Sequence, residues 1–203
     1  MRNEYKIDEF NKGTVKMGRL TIYPDKQADS VILDTSDAKT ICDTLYKIGV
    51  TFECWDTHEP LPSDAGDEAV MKAYASDIER LKSERGYQSV DVIRLSPDNP
   101  KKEELRAKFL SEHTHSEDEV RFFVEGSGVF YLHAANKVYM VLCETGDLIS
   151  VPEGAKHWFD MSANPSLTCI RLFTRKDGWI AEYTGDEIAD KFPKYEKTEE
   201  KAA

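Results

Sequence analysis

The stretch His113-Thr114-His115-Ser116-Glu117-Asp118-Glu119-Val120-Arg121 contains two histidines, two glutamates and an arginine at odd-numbered positions. Residues two apart on an extended strand face the same side. His113, His115, Glu119 and Arg121 are therefore expected to project together. Imidazole and carboxylate groups brought to one place are typical of a metal site.

A third histidine, His157, follows about forty residues later, directly after the turn Pro152-Glu153-Gly154. Three imidazoles and one carboxylate suit Fe(II), Mn(II), Ni(II), Co(II) or Zn(II), whereas Ca(II) and Mg(II) prefer oxygen ligands. Four protein ligands on an octahedral ion leave two positions for a substrate. His58 and His133 are not accompanied by other candidate ligands at a suitable spacing and are interpreted as ordinary core or surface residues.

The sequence around these histidines has the residue pattern of a β protein. Short strands with tight turns between them are typical of a closed or two-sheet β barrel. The expected strands span 19–23, 89–95, 120–124, 128–133, 137–142, 147–151 and 168–174, and the expected helices span 36–48, 67–82 and 101–110. We therefore expect one mainly β domain with flanking helices. The barrel would span about 87–180, the N-terminal elaboration 1–86, and a charged, solvated or disordered tail about 191–203.

Composition narrows the function classes. The chain has 203 residues and a net charge of −11, which makes nucleic acid an unfavourable partner and favours a soluble monomer. No apolar run approaches the roughly 18 residues of a membrane span. The charged N-terminal residues lack the apolar segment of a secretory signal, so a cytoplasmic location is expected. The four cysteines are widely spaced and are interpreted as reduced, mostly buried thiols.

The two histidine-bearing segments together resemble the two motifs of the cupin superfamily. The first motif, His-x-His, three or four residues, Glu, six residues, Gly, matches residues 113–126. The second, Gly, five residues, Pro-x-Gly, two residues, His, matches residues 146–157. Ala107 and Met161 depart from the usual glycine and asparagine but lie outside the ligand set. The resemblance implies a double-stranded β-helix, or jelly-roll, barrel.

Residues 112–122 and the following Gly126-Ser127-Gly128 are more narrowly similar to the acireductone dioxygenase family, and the resemblance extends over residues 20–179. It implies oxidation of 1,2-dihydroxy-3-keto-5-methylthiopentene by O2 in methionine salvage. With Fe(II) the implied products are 4-methylthio-2-oxobutanoate and formate. With Ni(II) they are 3-methylthiopropionate, formate and carbon monoxide. One ion per chain would be held by His113, His115, Glu119 and His157.

Charge balance then suggests a role for Arg121. A divalent metal, the Glu119 carboxylate and a substrate dianion leave one negative charge, which a single buried guanidinium would neutralise. The resemblance further implies that His115 acts as a base. Glu112, beside the first ligand, is a candidate for supporting the ligands or capturing the metal. The methylthioalkyl tail of the substrate needs an apolar wall, and the aromatic residues expected to supply it are Phe109, Phe159 and Trp179.

Two other functions are compatible with the same four ligands. Another metal-dependent cupin enzyme, such as an isomerase or a decarboxylase, would use the same ion for different chemistry. A non-catalytic cupin would bind a small effector, but such proteins commonly carry a helical DNA-reading domain, for which no segment is seen. The context of Arg121 and the long resemblance favour the dioxygenase.

Overall fold

The computed structural model describes residues 18–55, 61–62, 65–175 and 179–196. Within these ranges it contains eleven strands, four α-helices and one short 3-10 helix. The strands are β1 (Arg19–Pro24), β2 (Leu33–Thr35), β3 (Thr51–Cys54), β4 (Ser89–Leu95), β5 (His113–Thr114), β6 (Glu119–Ala134), β7 (Lys137–Glu144), β8 (Asp147–Val151), β9 (Lys156–Asp160), β10 (Leu167–Phe173) and β11 (Glu182–Tyr183). The helices are α1 (Ala38–Tyr46), α2 (Asp67–Ala73), α3 (Ala75–Arg85) and α4 (Lys102–Phe109), followed by the 3-10 helix Ile188–Lys191.

The strands form two antiparallel sheets that share β6. One sheet has the order β2-β1-β7-β6-β9-β5-β11, and the other has the order β3-β8-β6-β10-β4. No hydrogen bonds join their outer strands among the described residues, so the fold is a jelly-roll sandwich rather than a closed barrel. The mainly β class with flanking helices is confirmed.

The shared strand β6 corrects one expectation. The sequence predicted two strands, 120–124 and 128–133, separated by Gly126-Ser127-Gly128. Instead β6 runs unbroken, and the register of β10 against it shifts between Thr168 and Cys169. The extra residue of this bulge is Val124. Two residues on, Gly126 has a φ of 79°, and a Cβ there would lie 1.9 Å from the carbonyl oxygen of Ser166. The glycines therefore move one strand between sheets instead of ending it.

The inner faces of the sheets enclose the main core. Alternate residues point inward within each half of β6, Phe123 before the glycines and Phe130 and Leu132 after them, and they pack there with Val141 and Phe159. Helix α1 covers part of this core with Ile41 and Leu45, and begins at Asp37, whose carboxylate caps the amide of Thr40. Among the four cysteines, none of which forms a disulfide, Cys143 and Cys169 are buried and Cys42 and Cys54 are half-buried.

Helices α2 and α3 cover the outer face of the second sheet. The single helix expected over 67–82 is broken at Tyr74, whose φ of −105° and ψ of 19° lie outside the helical region. The Tyr74 ring packs 4.8 Å from the ring of Phe122 on β6. The break lets Val70 on α2 and Ile78 on α3 pack against the same apolar cluster.

The described C-terminal residues cover the outer face of the first sheet. A solvated or disordered tail was expected from about residue 191. The described residues 191–196 instead include a buried side chain and a backbone hydrogen bond to β9. Phe192 is buried against Tyr23 and Trp158. The amide of Tyr195 donates to Asp160, whose carboxylate also receives two hydrogen bonds from Arg106.

Residues 197–203 lie outside the described ranges, as does His58. Within those ranges, no helix is both long and apolar enough to cross a membrane.

Candidate metal centre

Three strands carry the four candidate ligands to one end of the sandwich. His113 lies on β5 and pairs directly with His157 on β9. His115 follows β5 by one residue, and Glu119 begins β6. Because β5 and β9 are neighbours, the two histidine segments, which are distant in sequence, meet here.

The ligand atoms of His113, His115, Glu119 and His157 all lie within 4.8 Å of one another. The side chains are buried, with exposed fractions of 4%, 7%, 2% and 1% respectively. The ring centroid of His113 lies 4.9 Å from that of His115 and 4.5 Å from that of His157. The structure thus brings together the four residues that the two motifs singled out.

Each imidazole is oriented by a backbone carbonyl oxygen. The Nδ1 atoms of His113, His115 and His157 lie 2.7, 2.8 and 2.9 Å from the carbonyl oxygens of Ser111, Ile180 and Ala155. A carbonyl oxygen can only accept, so each Nδ1 carries the proton and donates it. In a neutral ring, the Nε2 lone pair is then left facing the cluster, as metal ligation requires.

The cluster is electrostatically suited to a cation. Glu119 Oε2 lies 2.9 Å from Nε2 of His115 and 3.1 Å from Nε2 of His157. With neutral rings these are three acceptor atoms in contact, an arrangement that needs a proton or a metal ion between them. Burial is the main cause that lowers the pKa of His113 to about 4, so this ring is neutral at pH 7. Imidazole and carboxylate donors fit a divalent transition metal.

Arg121 is held beside the cluster by Glu119. Its Nε donates to Glu119 Oε1 at 2.8 Å, and only 3% of the residue is exposed. Burial of the Glu119 carboxylate opposes its ionisation, but the Arg121 charge, together with the contacts to His115 and His157, outweighs burial and holds the pKa of Glu119 well below the usual range. Nη1 of Arg121 has no hydrogen-bond partner among the described residues. A buried cation is thus left with a free donor at the site.

Aromatic rings surround the Arg121 guanidinium. Its central carbon lies 4.5 Å from the ring centroid of Phe159, 5.4 Å from that of Trp179 and 5.8 Å from that of Phe109. The three aromatic residues predicted from sequence are thus brought together around Arg121. Phe130, which the sequence analysis did not single out, adds a fourth ring at 5.5 Å. Its signal was its place on the inward-facing positions of β6.

Gly128 leaves the space that the Phe159 ring occupies. A Cβ at this position would lie 2.4 Å from Cζ and 2.6 Å from Cε2 of Phe159. Real Cβ atoms do not approach this closely, so any side chain would displace the ring. The glycine therefore fixes how closely Phe159 packs beneath Arg121.

Glu112 is buried behind the first ligand, with only 1% of its surface exposed. Its carboxylate accepts from His133 Nδ1 at 2.6 Å and from Thr184 Oγ1 at 2.8 Å, and lies 3.7 Å from Lys156 Nζ. These contacts lie outside the four-ligand group. The structure therefore places Glu112 as a neighbour of the site whose described partners are other side chains.

Apart from Trp179, the sequence analysis did not identify the contacts that the residues after β10 make with the site. The Ile180 carbonyl orients His115, and Trp179 Nε1 donates to the carbonyl oxygen of Asp118 at 3.1 Å. The ring of Tyr183 lies 5.9 Å from that of His113. Backbone carbonyls have no sequence signature, and Tyr183 is far from both motifs in the chain.

The comparisons with known proteins agree with this geometry. A family model described as the ARD/ARD' family matches residues 19–181. The chain is 55% identical over 181 residues to an acireductone dioxygenase from Aquifex aeolicus (strain VF5), covering 89% of this chain and 98% of the relative. It is 54% identical over 183 residues to an acireductone dioxygenase from Stenotrophomonas maltophilia (strain K279a), covering 90% and 99% of the two chains.

A solved structure extends the comparison to the fold. Acireductone dioxygenase from Bacillus anthracis, with a cadmium ion in its active center, superposes with a TM-score of 0.73 at 29% identity, covering 83% of this chain and 99% of that one. The segment matched by the family model contains all four clustered side chains and every strand of the two sheets except β11. The protein therefore belongs to the ARD/ARD' family.

Proposed function

We propose that this protein is a metal-dependent acireductone dioxygenase of methionine salvage, which cleaves 1,2-dihydroxy-3-keto-5-methylthiopentene with O2. The observation that carries the proposal is the pairing of the four-ligand cluster with Arg121, a buried cation with a free Nη1 inside an aromatic enclosure. Family membership supplies the substrate class. The charge balance that requires Arg121 follows from the acireductone dianion, whereas no such requirement follows for an isomerase or a decarboxylase with the same four ligands.

One Fe(II) or Ni(II) ion would be held by His113, His115, Glu119 and His157. When bound, the ion supplies Lewis acidity and two coordination positions that fix and acidify the enediol oxygens of the substrate. The oriented imidazoles and the ionised Glu119 are the protein's contribution to this binding. The burial of all four side chains restricts water at the site.

Arg121 balances the charge of the bound substrate. A divalent ion, Glu119 and a substrate dianion together carry one excess negative charge, which Arg121 neutralises. Its Nε is already engaged with Glu119, so Nη1 is the atom available to a substrate oxygen. In a buried site, a charge-assisted hydrogen bond of this kind strongly favours the deprotonated substrate.

A base must take the proton of the enediol, and we assign this role to Nε2 of His115, which can accept the proton only when it is not coordinated to the ion. The hydrogen bond from its Nδ1 to Ile180 leaves Nε2 as the only ring atom that can accept. The His115 ring also lies against Trp179, with centroids 6.1 Å apart, on the side of the cluster where the substrate wall is placed.

The apolar tail of the substrate would lie along Phe109, Phe159 and Trp179. Phe109 and Trp179 are half-buried, whereas Phe159 is fully buried below Arg121. The wall therefore leads from the buried cation toward the surface. It excludes water from the charged head of the substrate and leaves room for a tail.

The products depend on the metal in this proposal. With Fe(II), substrate and O2 give 4-methylthio-2-oxobutanoate and formate. With Ni(II), they give 3-methylthiopropionate, formate and carbon monoxide. In both cases the two oxygen atoms of O2 are retained in the products.

Isotope labelling tests the proposal. Protein loaded with Fe(II) is given acireductone under 18O2, and the products are examined by mass spectrometry after subtraction of the spontaneous reaction. We expect one labelled oxygen in formate and one in the keto acid, formed faster than without protein. Products formed without label, or no acceleration by fully metal-loaded protein, would contradict it.

A further inference from the structure

We propose that Glu117 is a positioning residue of this site, which holds the chain carrying Trp179 and Ile180 against the loop between His115 and Glu119. Its effect on turnover rests on the proposed function, whereas its effect on the chain does not. Neither the ligand motif nor the predicted substrate wall includes this residue.

Glu117 makes three hydrogen bonds through a single oxygen. Its Oε2 accepts from the amide of Thr174 at 2.8 Å, from Thr174 Oγ1 at 2.6 Å and from the amide of Arg175 at 3.0 Å. Only 5% of the residue is exposed. Burying a carboxylate is unfavourable unless donors compensate for the lost water. The three donors compensate Oε2, whereas Oε1 is buried with no hydrogen-bond partner among the described residues.

The donors lie where the sheet stops providing partners. Strand β10 ends at Phe173, so the amides of Thr174 and Arg175 fall just beyond its ladder. Glu117 takes the place of the missing strand partner. The chain leaving the sheet is thereby attached to the loop between two candidate metal ligands.

A second set of contacts fixes the same chain four residues further on. Trp179 Nε1 donates to the carbonyl oxygen of Asp118, and the carbonyl oxygen of Ile180 accepts from Nδ1 of His115. The chain is therefore attached to the loop at both ends, by Glu117 at one and by His115 and Asp118 at the other. Loss of the first attachment gives the second more freedom.

The two groups at the second end both bear on the site. The Trp179 ring lies 5.4 Å from the central carbon of the Arg121 guanidinium. The Ile180 carbonyl selects the tautomer and orientation of His115. Glu117 touches neither the candidate ligands' metal-facing atoms nor the wall, so it acts through the chain it holds.

Substitutions separate this role from a general loss of stability. Glu117→Gln retains an oxygen acceptor, Glu117→Ala removes it, and Thr174→Val removes the hydroxyl donor alone. Glu125→Ala is the matched control, because Glu125 is exposed on β6. With metal occupancy held equal, we expect Glu117→Ala to raise KM for acireductone by about tenfold with a smaller change in kcat, because the wall is misplaced. Glu117→Gln should restore most of the loss, and Thr174→Val should fall between.

Hydrogen exchange followed by mass spectrometry supplies a readout that does not need turnover. In Glu117→Ala, we expect faster exchange at Thr174 and Arg175 and also at residues 182–184, where β11 pairs with β5 and the Thr184 amide donates to Glu112. Faster exchange confined to residues 174 and 175, with KM unchanged, would overturn the proposal. If Glu117→Gln raised KM and amide exchange as much as Glu117→Ala does, the role of Glu117 as an acceptor would be overturned. If wild-type protein fails to turn over acireductone, the proposed function fails, while the exchange pattern still decides the role of Glu117.

Discussion

Arg121 donates from Nε to Oε1 of Glu119, and the other carboxylate oxygen of Glu119 faces His115 and His157. One buried carboxylate thus joins the candidate ligands to the cation placed for substrate. The site is therefore a single charge network. A change at Arg121 alters both the substrate contact and the environment of a ligand.

Replacing Arg121 tests this network. Arg121→Ala removes the free donor and leaves Glu119 without its cationic partner, so kcat/KM should fall by about 10²–10³-fold. Arg121→Lys retains the charge but cannot donate from Nε and Nη1 together, so it should rescue only partly. Steady-state kinetics at matched metal content measure both. Arg19→Lys, a surface change, is the control. Wild-type activity in Arg121→Ala would rule out its substrate role.

His157→Gln should abolish tight metal binding. The imidazole is one of the four clustered ligands, and an amide is a poor ligand for Fe(II) or Ni(II). Added Ni(II) should raise the Tm of metal-free wild-type protein, since a ligand at 100 times its Kd stabilises by about 2.7 kcal/mol. The same addition should leave the Tm of His157→Gln almost unchanged. A similar Tm increase in both proteins would place the metal elsewhere.

Gly128→Ala should damage the substrate wall without unfolding the protein. The added methyl group displaces the Phe159 ring from beneath Arg121, and overpacking of this kind costs about 1–3 kcal/mol. We expect a lower Tm and a raised KM for acireductone. Gly66→Ala is the matched control, because a Cβ there meets nothing within 4 Å. If Gly128→Ala kept the wild-type KM, the assignment of Phe159 to the wall would be wrong.

Asp147 predicts how stability depends on pH. Burial is the main cause that raises the pKa of Asp147 from its ordinary 3.8 to about 7, while hydrogen bonds from the amides of Glu144 and Gly18 oppose the rise. Between these values the folded protein holds a proton that the unfolded chain has lost. The stabilising contribution is therefore complete below about pH 4 and is lost as the pH rises through about 7.

Asp147→Asn tests this dependence because asparagine keeps an acceptor for the two amides and cannot ionise. The Tm of wild type, relative to that of Asp147→Asn, should fall between about pH 4 and pH 7 and level off above it, by the equivalent of a few kcal/mol at most. Comparing the two proteins removes the contributions of all other groups. Parallel Tm curves across this range would show that Asp147 is ionised throughout.

The sequence was most informative where a local pattern determines the structure. The odd-numbered spacing of His113, His115 and Glu119 predicted a shared face, and the second motif located His157. The close placement of the ligands in space then follows from strand pairing between β5 and β9, which no spacing reveals. Predicted strand 147–151 coincides with β8, since its apolar run is bounded by clear turns.

The remaining features depend on contacts between distant segments. Strands β2 and β11 are only three and two residues long, too short for a periodic signal. The continuity of β6 depends on the close approach of Ser166 to Gly126. The break at Tyr74 depends on packing against Phe122. The described C-terminal residues hold a defined position because they contact Asp160 and Trp158 on β9, although the local composition is charged.

The measurement that most directly tests the central claim is the O2-dependent loss of acireductone ultraviolet absorbance, with metal-free protein reloaded separately with Fe(II) and Ni(II). The products are analysed for keto acid and carbon monoxide. We expect acceleration with both ions, keto acid and formate with Fe(II), and carbon monoxide with Ni(II). No acceleration over the spontaneous reaction by either fully occupied protein would contradict the account and favour another chemistry for the same four ligands.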